Sequence, residues 1–205
     1  MSGMRSSRNS GAIVGVSDHA GFAVLVTVAS DGTIFDRRRI ELIDADLPKM
    51  PIHHEAQTLP LTQAVDLVER VRVSAARHAK LALEAVAKHV SSPIQGVALR
   101  ECPPLPPTIA DRIRDYRARN VADWVMYRQA LADAAESRRW LVHWYDARTV
   151  FDAACEALHV RKLEPHFMQA RKTLGPPWNM DHKLAMAAAI VAATRERSLI
   201  DRAEG

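Results

Sequence analysis

At 205 residues, 48% hydrophobic and 25% charged, the chain is long enough for one sizeable domain, and its composition excludes low-complexity and fibrous classes. No apolar run approaches the ~18 residues of a membrane span. Two cysteines, Cys102 and Cys155, make neither a disulfide framework nor a CxxC metal pair, so a cytoplasmic protein with no membrane partner is expected. The net charge of +4 and pI near 9.3 are compatible with nucleic acid or another polyanion as partner.

Residues 1–11 begin with MSGMRSSRNS, polar and basic and without the apolar core of a signal peptide, so a disordered tail is expected there. Ala12 to Asp18 is an apolar run that suits a strand buried on both faces. HAG then turns the chain, and valine-rich Phe22 to Ala29 reads as a second strand. Asp31-Gly32 is a strong hairpin signal, because a type I′ turn needs positive φ at both central positions. The third strand, about Thr33 to Ile43, carries the polar DRRR segment and belongs at a sheet edge.

Asp44 to Pro60 is a proline-containing loop with His53, His54 and Glu55 adjacent. Leu61 to Val90 has a helical period, with Leu61, Val65, Val68, Val71, Ala75, Leu81, Ala85 and Val86 near one face. Ser91-Ser92-Pro93 stops it, and Ile94 to Cys102 is a fourth strand ending on Glu101. PPLPP cannot be regular structure. Helices are predicted over Thr108 to Arg117 and from an Asn120 cap to Ser137, followed by a fifth strand from Trp140 to Asp146. Short helices over Thr149 to Leu158 and Pro165 to Leu174 precede Gly175, a helix C-terminal glycine. The last helix, Asn179 to Thr194, has an alanine-rich face for close packing, and residues 196–205 are expected to be a C-terminal tail.

The order βββ-α-β-α-β-α places three antiparallel strands first and later strands parallel to the first. It resembles the ribonuclease H-like fold, an α/β architecture with a five-stranded mixed sheet, over about residues 12–195. Within that superfamily the acidic positions resemble those of RuvC-type Holliday-junction resolvases. Those enzymes carry an acid at the end of strand one, a glutamate at the end of strand four, and a carboxylate or histidine pair at the start of an alanine-rich last helix. Asp18, Glu101, and Asp181 with His182 stand at matching places. The register departs from the family in two respects. The family's first acid follows a glycine by two residues, where Ser17 stands after Gly15. Asn179 takes the place of the acidic partner about three residues from its pair.

The resemblance implies a divalent-metal-dependent nuclease. Asp18, Glu101 and Asp181 would hold Mg²⁺ or Mn²⁺ and His182 would assist proton transfer. It also implies nucleic acid as partner, and a homodimer is expected. Other readings stay open: a non-catalytic binding or scaffold protein on the same fold, or an actin-like phosphotransferase, a class that needs two such domains. Asp18 alternatively orders its turn, Glu101 alternatively pairs with Arg100 or Arg112, and Asp181 is a good helix-start residue in any case. GVSDHAGF also resembles the opening motif of type B ribose-5-phosphate isomerases, where a helix follows; here FAVLVTVAS reads as strand.

The loop histidines His53 and His54 with Glu55 match no zinc spacing and read as a solvated loop. Arg37, Arg38 and Arg39, with Arg112, Arg114, Arg117 and Arg119, could track phosphates or form solvated faces. Trp124, Trp140 and Trp144 read as core, and Trp178 as a residue able to stack on a ligand ring.

Overall fold

The computed structural model describes residues 11–29 and 31–203. The expected tail over 1–11 therefore lies, up to residue 10, outside the described residues. The strands are β1 (Ala12–His19), β2 (Phe22–Ala29), β3 (Ile34–Glu41), β4 (Ile94–Arg100) and β5 (Leu141–Tyr145). They form one sheet in the order β3-β2-β1-β4-β5. β1 is antiparallel to β2 and parallel to β4, and β5 is parallel to β4. β3 closes one edge as its polarity requires.

The helices are α1 (Leu61–His89), α2 (Ile109–Arg114), α3 (Tyr116–Arg119), α4 (Ala122–Ser137), α5 (Val150–Ala157), α6 (Glu164–Leu174) and α7 (Met180–Ala203). Because strand side chains alternate, β1 feeds two cores. Val14 and Val16 pack with α1 and α4, whereas Ile13 packs with α5, α6 and α7. This is the double cover that a strand apolar on both faces calls for.

Several local expectations change. Leu81 is exposed, and Ala79 and Leu83 take the inner face of α1 instead. The helix expected over Thr108 to Arg117 breaks at Asp115, which is extended (ψ 118°) and accepts a hydrogen bond from the Ala118 amide as the cap of α3. An aspartate that bonds nearby amides favours a new helix start over continuation. Asn120 closes α3 rather than capping α4. Trp144 is 38% exposed, since β5 is an edge strand. α7 runs on to Ala203, through most of the stretch expected to be a tail.

Candidate functional site

α1 and α4 each leave one parallel strand end and return to the start of the next, so both begin at the C-terminal rim of the sheet. α7 begins there too, with Asp181 over the end of β1. This rim is where open α/β sheets bind ligands. Gly15 sets how closely α7 sits: a Cβ there would lie 1.8 Å from the Ala185 carbonyl oxygen. A side chain at that position would lift the helix off the sheet.

Two residues further along the same face, Ser17 donates its hydroxyl to Asp181 Oδ1 (3.0 Å), and His19 Nε2 lies 2.8 Å from the same oxygen. Burial pushes the Asp181 carboxyl up, but the bonds from His19 and Ser17 outweigh it, and its pKa is held below the usual carboxylate value. Asn179 caps α7, its Oδ1 accepting from the His182 amide. Arg37 of β3 approaches His182 Nε2 at 3.3 Å, and a guanidinium only donates. His182 Nδ1 lies 2.5 Å from Asn179 Oδ1 and 3.3 Å from the Asn179 amide nitrogen, and the shorter contact together with Arg37 assigns the ring proton to Nδ1. Burial and the Arg37 charge both lower the His182 pKa, in keeping with a neutral ring. Arg37 also donates to the carbonyls of Leu174, Pro176 and Pro177, and Trp178 packs over His182 at 5.3 Å between ring centroids.

Asp18 points to the opposite face. Its Oδ2 accepts from Arg128 Nε of α4 at 2.7 Å, and its side chain is fully buried. Arg128 Nη1 then donates to the Glu101 carbonyl (3.1 Å), so one guanidinium joins the ends of β1 and β4. The Glu101 side chain is exposed. Cys102 lies beside this pair, and burial pushes its thiol up. On the α7 face of β4, two residues after Ala98, stands Arg100. It lies beside the Tyr145 hydroxyl, which donates to the Val16 carbonyl at 2.7 Å.

No protein-family model matches the chain, and no curated protein matches it in sequence. Among solved structures, the Thermus thermophilus RuvC structure matches with a TM-score of 0.50 at 14% identity, over 91% of this chain and 96% of that one. The chain has the ribonuclease H-like fold of RuvC type. The structure of T. thermophilus RuvC in complex with a Holliday junction substrate also matches, with a TM-score of 0.48 at 12% identity, over 92% of this chain and 96% of that one.

On this RuvC-type fold the expected acids do not converge. Asp181 and His182 share the α7 face with Ser17, Asp18 is turned toward α4, and Glu101 faces solvent. Among the described residues no three of His, Cys, Asp and Glu are grouped to hold a metal ion. Around the end of β1 stand two carboxylates on opposite faces, Asp181 bonded to Ser17 and His19 and Asp18 paired with Arg128, with Arg100 beside them. A divalent cation needs several hard anionic oxygens converging on one point and does not fit that arrangement. In the loop, His54 and Glu55 are exposed, while the His53 ring lies 3.3 Å from the Arg119 carbonyl and its backbone amide donates to Asp123, whose buried carboxylate also accepts from the Ile52 amide.

The arginine clusters separate into bound and free members. Arg37 is bonded to carbonyls, Arg38 to Asp36 and Arg112 to the carbonyls of Pro106 and Pro107. Arg39 pairs with Glu41 and covers the Phe22 ring at 3.8 Å, and His19 stacks on the same ring at 4.4 Å. Arg114 and Arg117 are exposed, and among the described residues their guanidiniums have no partner. Between them Tyr116 is 73% exposed, with Arg119 5.2 Å over its ring. Sequence reading listed these arginines but missed Tyr116; the signal is the aromatic inside RDYRAR, interleaved with cations.

No helix of the described residues is long and apolar enough to cross a membrane.

Proposed function

We propose that the chain is a nucleic-acid-binding protein that grips a phosphate backbone along this rim without metal-dependent hydrolysis. Arg114 and Arg117 contact phosphates, and Tyr116 offers its ring to a base. The reading is supported by the RuvC-type fold and the basic pI. The observation that carries it is the chemistry around the end of β1, where the Asp18 and Asp181 carboxylates are turned to opposite faces and each is held by protein groups, while Arg114 and Arg117 stand exposed. A guanidinium attracts phosphate but cannot hold a cation that activates water. Free arginines beside an exposed aromatic suit strand binding through charge and stacking.

The other assignment, a Mg²⁺- or Mn²⁺-dependent phosphodiester hydrolase using Asp18, Glu101, Asp181 and His182, requires those groups to move together. A homodimer would double the rim surface but is not needed for it.

Fluorescence anisotropy with labelled single-stranded, duplex and branched oligonucleotides tests the binding. The expected affinity falls with added salt, and Arg114→Ala with Arg117→Ala reduces the salt slope by about two contacts. Binding that is insensitive to both salt and the double substitution would contradict the proposal.

A further inference from the structure

A concavity opens on the α7 side of the sheet, between α5, α6 and the first turn of α7, with a volume of about 300 Å³. Its apolar wall is built from Phe151 and Phe167, packed edge to face with centroids 6.3 Å apart. Met180, the first residue of α7, stands at the mouth 65% exposed. Lys183 brings its ammonium 5.4 Å over the Phe167 ring. Arg161 and Lys162 close the other side, exposed and with no ion-pair partner among the described residues. Two carboxylates, Asp152 and Glu164, also line it, with Cys155 and Leu163.

We infer that this cleft binds one nucleotide unit, its base against the Phe151, Phe167 and Met180 wall and its phosphate on Arg161, Lys162 and Lys183. The Phe151 ring and a polarisable thioether suit the face of a base, with the buried Phe167 ring packed behind them. Three cations lining one cleft, from a loop and a helix, suit a phosphate, and they outnumber the two acids. Those acids are hydrogen-bond acceptors of the kind that meet exocyclic amines and sugar hydroxyls. The volume lies at the lower end for small-molecule pockets and is of the size of one nucleotide unit. The nucleotide is either free in solution or an unstacked residue of a strand already held on the rim. The second source rests on the function proposed above.

The full chain is titrated into 2-aminopurine riboside monophosphate and, separately, into a single-stranded oligonucleotide carrying one internal 2-aminopurine. A saturable fluorescence change is expected. Lys183→Glu should weaken it about tenfold or more, the loss expected for a contact to a phosphate charge. Lys88→Glu, the same charge change near the C-terminal end of α1, outside the cleft, should leave it unaltered. Saturation with the monophosphate supports the cleft and makes the free nucleotide a sufficient ligand; saturation with the oligonucleotide alone supports it with the strand as source. No saturable change with either probe overturns the cleft, as does a change that Lys183→Glu does not weaken. If the oligonucleotide still shows anisotropy-detected binding in that case, the rim reading survives; if it does not, both fall.

Discussion

Arg128 and Asp18 form an ion pair at 2.7 Å, with the carboxylate side chain fully buried and the guanidinium nearly so. One carboxylate oxygen, Oδ1, has no hydrogen-bond partner. The pair ties α4 to the end of β1, and through the Glu101 carbonyl to the end of β4. Breaking it from one side leaves a buried charge with nothing to compensate it. Arg128→Met should therefore cost about 3–5 kcal/mol, whereas Asp18→Leu combined with Arg128→Met should recover most of that loss. Urea unfolding of both single variants and the double variant measures the cycle. Equal stability of Arg128→Met and the parent chain would contradict the buried pair.

Gly15→Ala tests how closely α7 is seated. The added Cβ would meet the backbone oxygen of Ala185, which cannot swing aside as a side chain can. The expected loss is about 1–3 kcal/mol or more, read as a lower midpoint in thermal unfolding. It should be accompanied by weaker protection of the α7 amides in hydrogen exchange.

The fold was largely legible because its signals are local. Asp31-Gly32 marks the hairpin, the β1 residues are apolar on both faces, and the buried positions of α1 recur every three or four residues. The site was less legible because adjacent strand residues point to opposite faces. Ser17 and Asp18 differ by one position, and that one position decides whether a side chain meets α7 or α4. The chemistry of the carboxylate favours Asp18, but the helix covers the face that carries glycine. Gly15 therefore marks Ser17 as the residue under α7, a spacing visible in the sequence. Arg128 could not be assigned, since its partner lies 110 residues away in the chain.

Arg37 holds the segment before α7 through three carbonyls and the His182 ring. Arg37→Met keeps much of the aliphatic stem but leaves those carbonyls without their donor. A loss of about 1–3 kcal/mol is expected. Trp178, packed on His182, should report the release as a change in fluorescence, measured against a Trp178→Phe control. An unchanged spectrum and stability would remove Arg37 from this role.

Two carboxylates give opposite pH dependence. Burial pushes Asp123 up to about 6 against the 3.8 of the unfolded chain. Between those values the folded state holds the extra proton, so this contribution to stability falls as pH rises from about 4 to about 6. Asp181 is lowered, chiefly by His19 and Ser17 against the opposing effect of burial. Its contribution is present above pH 3.8 and is lost as pH falls through its folded-state pKa. Asp123→Asn should flatten stability between pH 4 and 6. Ser17→Ala should reduce the loss on acidification. Denaturant midpoints between about pH 4 and 6 check the first sign, and midpoints below pH 3.8 the second.

The central claim is that the rim binds nucleic acid without cutting it through a metal. The direct measurement follows a labelled four-way DNA junction mixed with the chain in Mg²⁺, in Mn²⁺ and in EDTA, with complexes resolved on native gels and strands on denaturing gels. The account predicts a retarded complex in all three, formed without metal and not strengthened by it, with every strand intact. Strand scission that requires the metal and disappears in Asp18→Asn or Asp181→Asn would contradict it.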